Sequence, residues 1–216
     1  TANEGSAIGL SIGYHLSTGK VPLVYLQNSG LGNCINPLVS LADPKVYSIP
    51  MILLIGWRGE KNIPDEPQHK KQGIITISTL KILNIPYIEL KNGVKEAEIT
   101  RIINLAKKNN FPIAMVVRKN FFQSGAVSLK NTNSFPCSRE DAIKILLSHL
   151  KKSDIIVSTT GMTSRELDEI RGKTKNKSNA DFLTVGGMGH ASQIALGIAI
   201  TNKQRRIVCI DGDGAA

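Results

Sequence analysis

The chain has 216 residues and a formal net charge of +10, and 41% of its residues are hydrophobic. That length suits one large or two small domains, and no apolar run approaches the about 20 residues that cross a membrane. The first residues lack the layout of a signal peptide, and three cysteines without a CxxC spacing favour reduced thiols. We therefore expect a cytoplasmic protein that makes no membrane contact.

The positive charge admits two interpretations, because basic proteins often bind nucleic acid. Here the lysines occur in scattered pairs such as Lys107-Lys108 and Lys151-Lys152, and aromatic residues make up only 5% of the chain. No aromatic residues interleave with a basic stripe, as stacking on bases would require. We expect a small anionic substrate and no nucleic acid; a basic nucleic-acid-binding module is the alternative from another class.

Strands and helices alternate along the first part of the chain. The predicted helices cover 3–16, 36–42, 76–83 and 95–108, and the predicted strands cover 23–26, 51–55, 87–90 and 113–117. Asn3 is a suitable cap for the first helix, and the polar segments 27–33 and 56–73 are predicted loops. This alternation predicts a doubly wound parallel sheet.

The same rhythm returns after a change of composition. Residues 121–137 are rich in Asn, Ser, Lys and Phe without periodicity, which predicts a linker between domains 1–120 and 138–216. Ser138 is expected to cap a helix, because acidic residues follow it in the first turn. The later elements are strands over 154–157, 181–185 and 206–210, and helices ending near 170 and covering 192–201.

The last predicted strand stops at Asp211-Gly212-Asp213-Gly214. In an open α/β sheet, ligands collect beyond the carboxyl ends of the strands, and glycine lets the backbone approach a phosphate closely. Mg²⁺ binds one or two carboxylates together with phosphate oxygens. The motif therefore predicts Asp213 on Mg²⁺ beside a diphosphate, although an ordinary turn uses the same residues.

A glycine-rich loop at 185–191 precedes this motif and opens a helix of small residues. Such a loop presents backbone groups to a ligand, and the helix N-terminus favours negative charge. Loop, helix, strand and DGDG in this order resemble the diphosphate-binding domain of thiamine diphosphate enzymes. The family pattern continues with a pair of asparagines that this sequence lacks, so we expect the sequence to be a fragment.

Longer segments carry a closer resemblance. ANEGSAIGLSIGYHLSTGKVPLVYLQNSGLGN resembles the pyrimidine-binding domain of thiamine diphosphate-dependent decarboxylases. GWRGEKNIPDEPQH, STTGMTSREL and TVGGMGHASQIALG are similar to the members of that family that act on phosphonopyruvate, with a related branch acting on sulfopyruvate. The resemblance implies two incomplete α/β domains, thiamine diphosphate and Mg²⁺ as cofactors, an anionic 2-oxo acid as substrate, and a homo-oligomer with sites between subunits. We expect the isolated 216-residue chain to have little activity.

The resemblance also assigns cofactor contacts. Glu4 would hydrogen-bond to the pyrimidine ring as the catalytic acid, although a first-turn acid also stabilises a helix dipole. Met188 would support the bent cofactor, although a methionine is also a common core residue. The remaining expected contacts to the cofactor and its metal are Gly186, Thr159, Thr160, Gly161, Gly212, Asp213, Gly214 and Ala215.

Substrate contacts are predicted by residue type. Arg58 offers a bidentate fork for a phosphonate, or else a salt bridge to Glu60 or Asp65. His69 and His190 are suited to moving protons, although a single histidine is more often structural. Further polar candidates lie in the loop after the first predicted strand, namely Gln27, Asn28 and Asn33.

Overall fold

The computed structural model describes Thr1 and residues 3–123, 125, 135–173 and 180–215. The chain divides into two compact units, which we call the first unit (1–126) and the second unit (127–216). Both contain parallel sheets and helices, which confirms the α/β class. The predicted linker 121–137 falls largely on 124 and 126–134, outside the described residues, and the ligand-binding roles of the two domains stay predictions.

The first unit is built on four parallel strands in the order β1-β2-β4-β3. These are β1 (Leu23–Gln27), β2 (Met51–Gly56), β3 (Tyr87–Leu90) and β4 (Pro112–Val117). The register pairs Gln27 with Gly56 and Gly56 with Val117. The carboxyl ends of three strands therefore lie side by side at one edge, where the residues that follow them meet.

Four helices cover this sheet, namely α1 (Glu4–Thr18), α2 (Leu31–Pro37), α3 (Pro67–Ile82) and α4 (Glu96–Asn109). Asn3 caps α1 as predicted, because its side-chain oxygen accepts a hydrogen bond from the Gly5 amide at 2.8 Å. A 3₁₀ turn (Asn28–Gly30) leads into α2, and a π-helical turn (Leu38–Ala42) follows it.

Two predicted boundaries in the first unit were wrong. The polar segment 27–33, predicted as a loop, already contains the 3₁₀ turn and the start of α2 at Leu31. The helix predicted over 76–83 begins at Pro67, inside the segment predicted as a long loop. Proline at the first helical position has a suitable φ and loses no hydrogen bond, so its presence there is the signal that we missed.

The core of the first unit lies on both faces of the sheet. Met51, Leu53 and Ile55 of β2 pack with residues of α1, α2 and α3 on one face. Ile52 of β2 packs on the other face, with Ile102 of α4. This alternation confirms a doubly wound sheet, and each such buried side chain contributes about 1.5–3 kcal/mol.

The second unit repeats this arrangement with three parallel strands in the order β6-β5-β7. Its elements are α5 (Arg139–Ser148), β5 (Ile155–Ser158), α6 (Met162–Lys173), β6 (Phe182–Leu183), α7 (Ala191–Thr201) and β7 (Ile207–Ile210). Side chains of α5 and α6 pack with Ile156, and side chains of α7 pack with Val157, so helices cover both faces. The strand predicted over 181–185 is only two residues long.

Ser138 begins α5 through a reciprocal capping box with Asp141, as its position predicts. Across the described ranges, no helix combines the length and the apolar character needed to cross a membrane.

Candidate active site

Glu4 stands in the first turn of α1, against the turn that leads into α2. Its Oε2 accepts a hydrogen bond from Asn33 Nδ2 at 2.8 Å, which brings two predicted site residues together. A Cβ at Gly30 would lie 2.2 Å from the Glu4 carboxyl carbon, so a larger residue at position 30 would displace this carboxylate. The segment NSGLGN therefore fixes the position of the Glu4 carboxylate.

Cys34 lies buried in α2 close to the same carboxylate. Its thiol is 3.6 Å from the Gly30 carbonyl oxygen. Burial, and to a smaller extent the negative charge of Glu4, raises the pKa of Cys34 to about 12. The thiol thus stays protonated at neutral pH.

A cavity of about 840 Å³ opens where β1, β2 and β4 end, and we call it the strand-end cavity. Gln27 and Arg58 both line it, as expected for substrate contacts, and Gln27 Oε1 accepts a hydrogen bond from Ser29 Oγ at 2.6 Å. Its aromatic lining consists of Tyr25, Trp57, Phe121 and Phe122. The cavity thus combines apolar walls with a few charged groups, as small-molecule sites do.

Asp65 organises one side of this cavity. Its carboxylate accepts hydrogen bonds from Arg58 Nε at 2.9 Å and Nη2 at 2.5 Å and from the Gly59 amide at 2.7 Å. His69 Nδ1 lies 3.0 Å from Asp65 Oδ1. The Arg58 guanidinium is the main cause that holds the pKa of Asp65 far below its usual range. Arg58 thus forms the predicted salt bridge, and its side chain stays 42% exposed.

Asn28 is buried behind Arg58. Its Nδ2 donates to the Arg58 carbonyl oxygen at 2.8 Å and to Thr76 Oγ1 at 2.9 Å, and its Oδ1 accepts from the Arg58 amide at 2.9 Å. Both ends of the amide are therefore bonded to protein. In this structure Asn28 holds the backbone of Arg58, and a contact to substrate stays a prediction.

A second charged pair in the cavity was missed from the sequence. Arg118 Nε donates to Glu60 Oε1 at 2.5 Å, and Arg118 Nη2 bonds to the same oxygen. The Arg118 guanidinium also lies 6.0 Å from the centroid of the Trp57 ring. These residues stand 58 positions apart, and only the pairing of β2 with β4 would have revealed the contact.

The Glu60–Arg118 pair is incomplete. The Glu60 side chain is only 4% exposed, and within the described ranges its Oε2 has no hydrogen-bond partner. Glu89 Oε2 lies 3.8 Å from Arg118 Nη1, on the far side of the guanidinium. One buried carboxylate oxygen of a residue that lines the cavity is therefore left without a donor.

In the second unit, three predicted segments meet at one edge of the sheet. The register aligns Ser158 with both Leu183 and Ile210, so the segments after β5, β6 and β7 begin at the same level. The Thr159 amide donates to the Ile210 carbonyl oxygen at 2.8 Å. A Cβ at Gly212 would lie 3.7 Å from Thr159 Cγ2, and one at Gly189 would lie 3.7 Å from the Ala215 carbonyl oxygen.

The residues at this edge fit a diphosphate and a divalent metal ion. Asp213 is exposed, and its Oδ1 accepts from the Gly214 amide at 3.0 Å, leaving Oδ2 for a metal. Added Cβ atoms at Gly161 and Gly214 would meet nothing within 4 Å, so both backbones are open to a ligand. Asp211 Oδ2 is buried without a partner in the part of the chain that the structure describes. Thr160 and Gly161 lie just before α6, whose N-terminus favours an anion.

Met188 and His190 lie in the loop before α7. The Met188 side chain is 58% exposed, so the alternative of a core methionine was wrong. His190 Nδ1 lies 3.0 Å from the Gly187 carbonyl oxygen and 3.1 Å from that of Met188, so its ring is held by its own loop. The half-buried Gly186 precedes this turn, and the predicted contacts of all three residues to ligands remain untested.

Comparisons with known proteins show what this chain is similar to. A family model described as "Thiamine pyrophosphate enzyme, N-terminal TPP binding domain" matches residues 1–80. Phosphonopyruvate decarboxylase of Streptomyces hygroscopicus is 29% identical over 99% of this chain and 55% of its own length. The enzyme of that name from Streptomyces viridochromogenes is 30% identical over 98% of the chain and 55% of its own length.

Sulfopyruvate decarboxylase of Methanosarcina acetivorans is 30% identical over 98% of the chain and 58% of its own length. The chain thus spans somewhat more than half the length of the curated relatives it matches. The similarity runs nearly end to end and includes both strand-edge clusters described above. The resemblance inferred from the sequence motifs is confirmed: the chain is similar to these decarboxylases over nearly its whole length, and its residues 1–80 match the N-terminal domain of thiamine pyrophosphate enzymes.

Proposed function

We propose that the protein decarboxylates 3-phosphonopyruvate to phosphonoacetaldehyde and CO₂, with thiamine diphosphate and Mg²⁺. The observation that carries this proposal is the placement of Glu4 at the start of α1, bonded to Asn33 at 2.8 Å, in a chain similar over 98–99% of its length to two phosphonopyruvate decarboxylases. The reaction breaks one carbon–carbon bond, and the carbon that loses CO₂ takes up a proton.

Bound thiamine diphosphate supplies the electron sink that makes loss of CO₂ from a 2-oxo acid feasible. On this proposal Glu4 holds the pyrimidine ring through its carboxyl group, and Asn33 fixes the orientation of that group. Asp213 is the candidate Mg²⁺ ligand, and the exposed Met188 is the candidate support beneath the cofactor. The candidate diphosphate contacts are Thr159, Thr160, Gly161, Gly212, Gly214 and Ala215, and the candidate pyrimidine contact is Gly186.

The Asp65 network suits an anionic substrate. Arg58 donates to Asp65 through Nε and Nη2, and these bonds fix the guanidinium. Its Nη1 can then donate to an acidic group of a ligand in the strand-end cavity. Asp65 also fixes the ring of His69 through Nδ1, which leaves Nε2 as a candidate to move the proton that the reaction needs. We infer a homo-oligomer from the family resemblance alone.

Sulfopyruvate is the second candidate substrate, because a sulfopyruvate decarboxylase is as similar to this chain as the phosphonopyruvate enzymes are. Both substrates are 2-oxo acids with a second acidic group. Turnover of each by the full-length protein, with thiamine diphosphate and Mg²⁺, distinguishes them. Binding of nucleic acid that weakens steeply with salt, without turnover of either acid, would instead support the basic nucleic-acid-binding module.

Glu4→Gln tests the proposed catalytic role in the same full-length protein. We expect kcat to fall at least about 100-fold, because an amide cannot share a proton with the ring. Glu96→Gln is the matched control, since Glu96 is a first-turn acid on α4 and should leave kcat unchanged. Equal activity of the two variants would assign Glu4 to helix stabilisation alone.

A further inference from the structure

The Glu60–Arg118 pair is asymmetric, because both hydrogen bonds from Arg118 go to the same oxygen of Glu60. Arg118 places Nε and Nη2 on the same oxygen, Oε1 of Glu60. Oε2 of that carboxylate is buried and lacks a donor among the described residues, although Glu60 lines the strand-end cavity. A buried acceptor without a partner is unfavourable, so a ligand that brings a donor to it would be bound preferentially.

Arg118 supplies hydrogen-bond donors beside that acceptor. Its side chain is 38% exposed and lines the same cavity, and its guanidinium carries five N–H donors in all. Trp57 and Glu89 lie near it at 6.0 and 3.8 Å, so protein groups hold its position. Arg118 therefore brings N–H donors to the cavity next to Glu60, whose buried carboxylate oxygen lacks a donor among the described residues.

This combination is complementary to an acidic group that has both an oxyanion and an O–H. Phosphoryl groups have a second pKa of about 6, so near neutral pH part of the population keeps one O–H donor. A sulfonate is a strong acid whose oxygens only accept hydrogen bonds. Facing Glu60, a sulfonate would leave Oε2 without a donor, and such a mismatch gives strong discrimination.

We propose that Glu60 is a specificity-determining residue: its Oε2 accepts the O–H of a protonated phosphonate while Arg118 donates to a phosphonate oxyanion, and a sulfonate is rejected. The choice of phosphonate and sulfonate as the competing groups rests on the proposed function. The selection itself concerns binding in the strand-end cavity, and it can be measured without any reaction.

Phosphonoacetate and sulfoacetate are suitable probes, because neither is a 2-oxo acid that could be decarboxylated. Calorimetric titration of the full-length protein should give at least about tenfold tighter binding of phosphonoacetate than of sulfoacetate near pH 6. In Glu60→Gln the amide presents N–H to the ligand, so this ratio should fall at least about tenfold. Glu89→Gln removes a charge beside the same arginine and should keep the wild-type ratio.

The pH dependence supplies a test that needs no variant. Phosphonoacetate binding should weaken as pH rises through the second pKa of the probe, relative to sulfoacetate binding. The charged groups around the site are Arg58, Glu60, Asp65, Glu66, Glu89, Arg118 and Lys119, together with His69 on Asp65. These groups are the same for both probes, so the ratio of the two affinities isolates the ligand proton.

Equal affinities for the two probes at low pH, a ratio that does not change with pH, or an unchanged ratio in Glu60→Gln would each overturn the inference. Failure of both probes to bind would overturn it as well. If Glu60→Gln does not fold, the wild-type pH profile decides. If phosphonoacetate is preferred but phosphonopyruvate is not turned over, the proposed function fails and the selection by Glu60 stands.

Discussion

The two units place their candidate site residues at the same position in the fold but hold them differently. In the first unit, side chains bond to one another, and Asp65 accepts from Arg58, from the Gly59 amide and from His69. In the second unit, the last loop is held through its backbone amides, as in the bonds from Ala215 N to the Gly212 oxygen and from Gly214 N to Asp213 Oδ1. The first arrangement suits recognition by side-chain chemistry, and the second suits an anion that binds backbone N–H groups.

The last strands of the two sheets differ in the same direction. All six residues of β4 are buried, whereas no residue of β7 is. The first unit should therefore respond to substitutions by losing packing and buried pairs, and the second unit by losing local backbone stabilisation. Four substitutions test that contrast, from the largest expected effect to the smallest.

Gly59→Ala should be the most damaging substitution. Gly59 has φ +71, and an added Cβ would lie 1.9 Å from the His69 carbonyl oxygen of α3, which is backbone that cannot move aside cheaply. We expect a loss of about 3 kcal/mol in the free energy of unfolding, measured in urea.

Two glycines serve as controls for the backbone contribution. Gly93 (φ +87) in the first unit and Gly161 (φ +96) in the second also have positive φ, but an added Cβ there meets nothing within 4 Å. Their alanine variants should lose only about 1–2 kcal/mol. A Gly59→Ala variant no less stable than these would refute close packing of the Asp65 network against α3.

Asp65→Asn comes next, because it removes the charge that Arg58 and His69 share. We expect about 2 kcal/mol of destabilisation, a value kept moderate because Arg58 is 42% exposed. The effect should depend on pH. The pKa of Asp65 is lowered on folding, so its contribution is complete above the unfolded pKa of about 3.9 and declines as pH falls below it.

Unfolding measured from pH 7 down to about pH 2 checks this sign, since the difference between wild type and Asp65→Asn should shrink only in acid. A difference that stays constant over that range would mean that the carboxylate charge does not stabilise the native state.

Ser138→Ala tests the second unit, where the substitution removes a helix cap rather than a buried ion pair. It removes the oxygen that accepts from the Asp141 amide at 3.2 Å, and the expected loss is about 1 kcal/mol. Hydrogen exchange of α5 amides is the measurement. Ser148→Ala is the control at the other end of the same helix, where the hydroxyl donates to the Ile145 carbonyl oxygen, lies 3.1 Å from His149 Nδ1 and caps no backbone amide of the described residues. Equal losses of protection in both variants would contradict the capping role.

Lys144→Gln should have the smallest effect. Lys144 Nζ lies 3.6 Å from Glu140 and 3.8 Å from Asp141, and all three side chains are more than half exposed. We expect about 0.3 kcal/mol in low salt and no difference in high salt. A loss above about 1 kcal/mol in the free energy of unfolding that persists in high salt would contradict this prediction. It would show that the charged surface of α5 is less exposed to solvent than the structure indicates.

Local chemistry made much of the fold predictable. Asn3 and Ser138 mark helix starts because their side chains accept from backbone amides that the helix leaves unpaired. The short β-branched runs predicted most strands to within two residues. The starts of α2 and α3 were missed because their first turns contain Gly and Asn or begin with Pro. Intrinsic propensity favours a loop for such residues, and tertiary packing makes them helical.

The candidate site was predictable only where a motif carried it. Glu4 and Asn33 belong to one continuous segment, and the structure brings them together at 2.8 Å. The contact between Glu60 and Arg118 depends instead on the strand order β1-β2-β4-β3, which sequence spacing does not contain. The roles of Asn28 and Asp65 as bonding partners of Arg58 likewise depend on distances set by the fold.

The buried thiol of Cys34 gives the chain an internal reporter of its own unfolding. With its pKa raised to about 12, Cys34 has almost no thiolate at neutral pH, so an alkylating reagent should modify it only when α2 opens. Cys137 and Cys209 of the second unit are exposed and should be modified first. Mass spectrometry after alkylation for increasing times would thus measure how fast the segment next to Glu4 opens, without any engineered label.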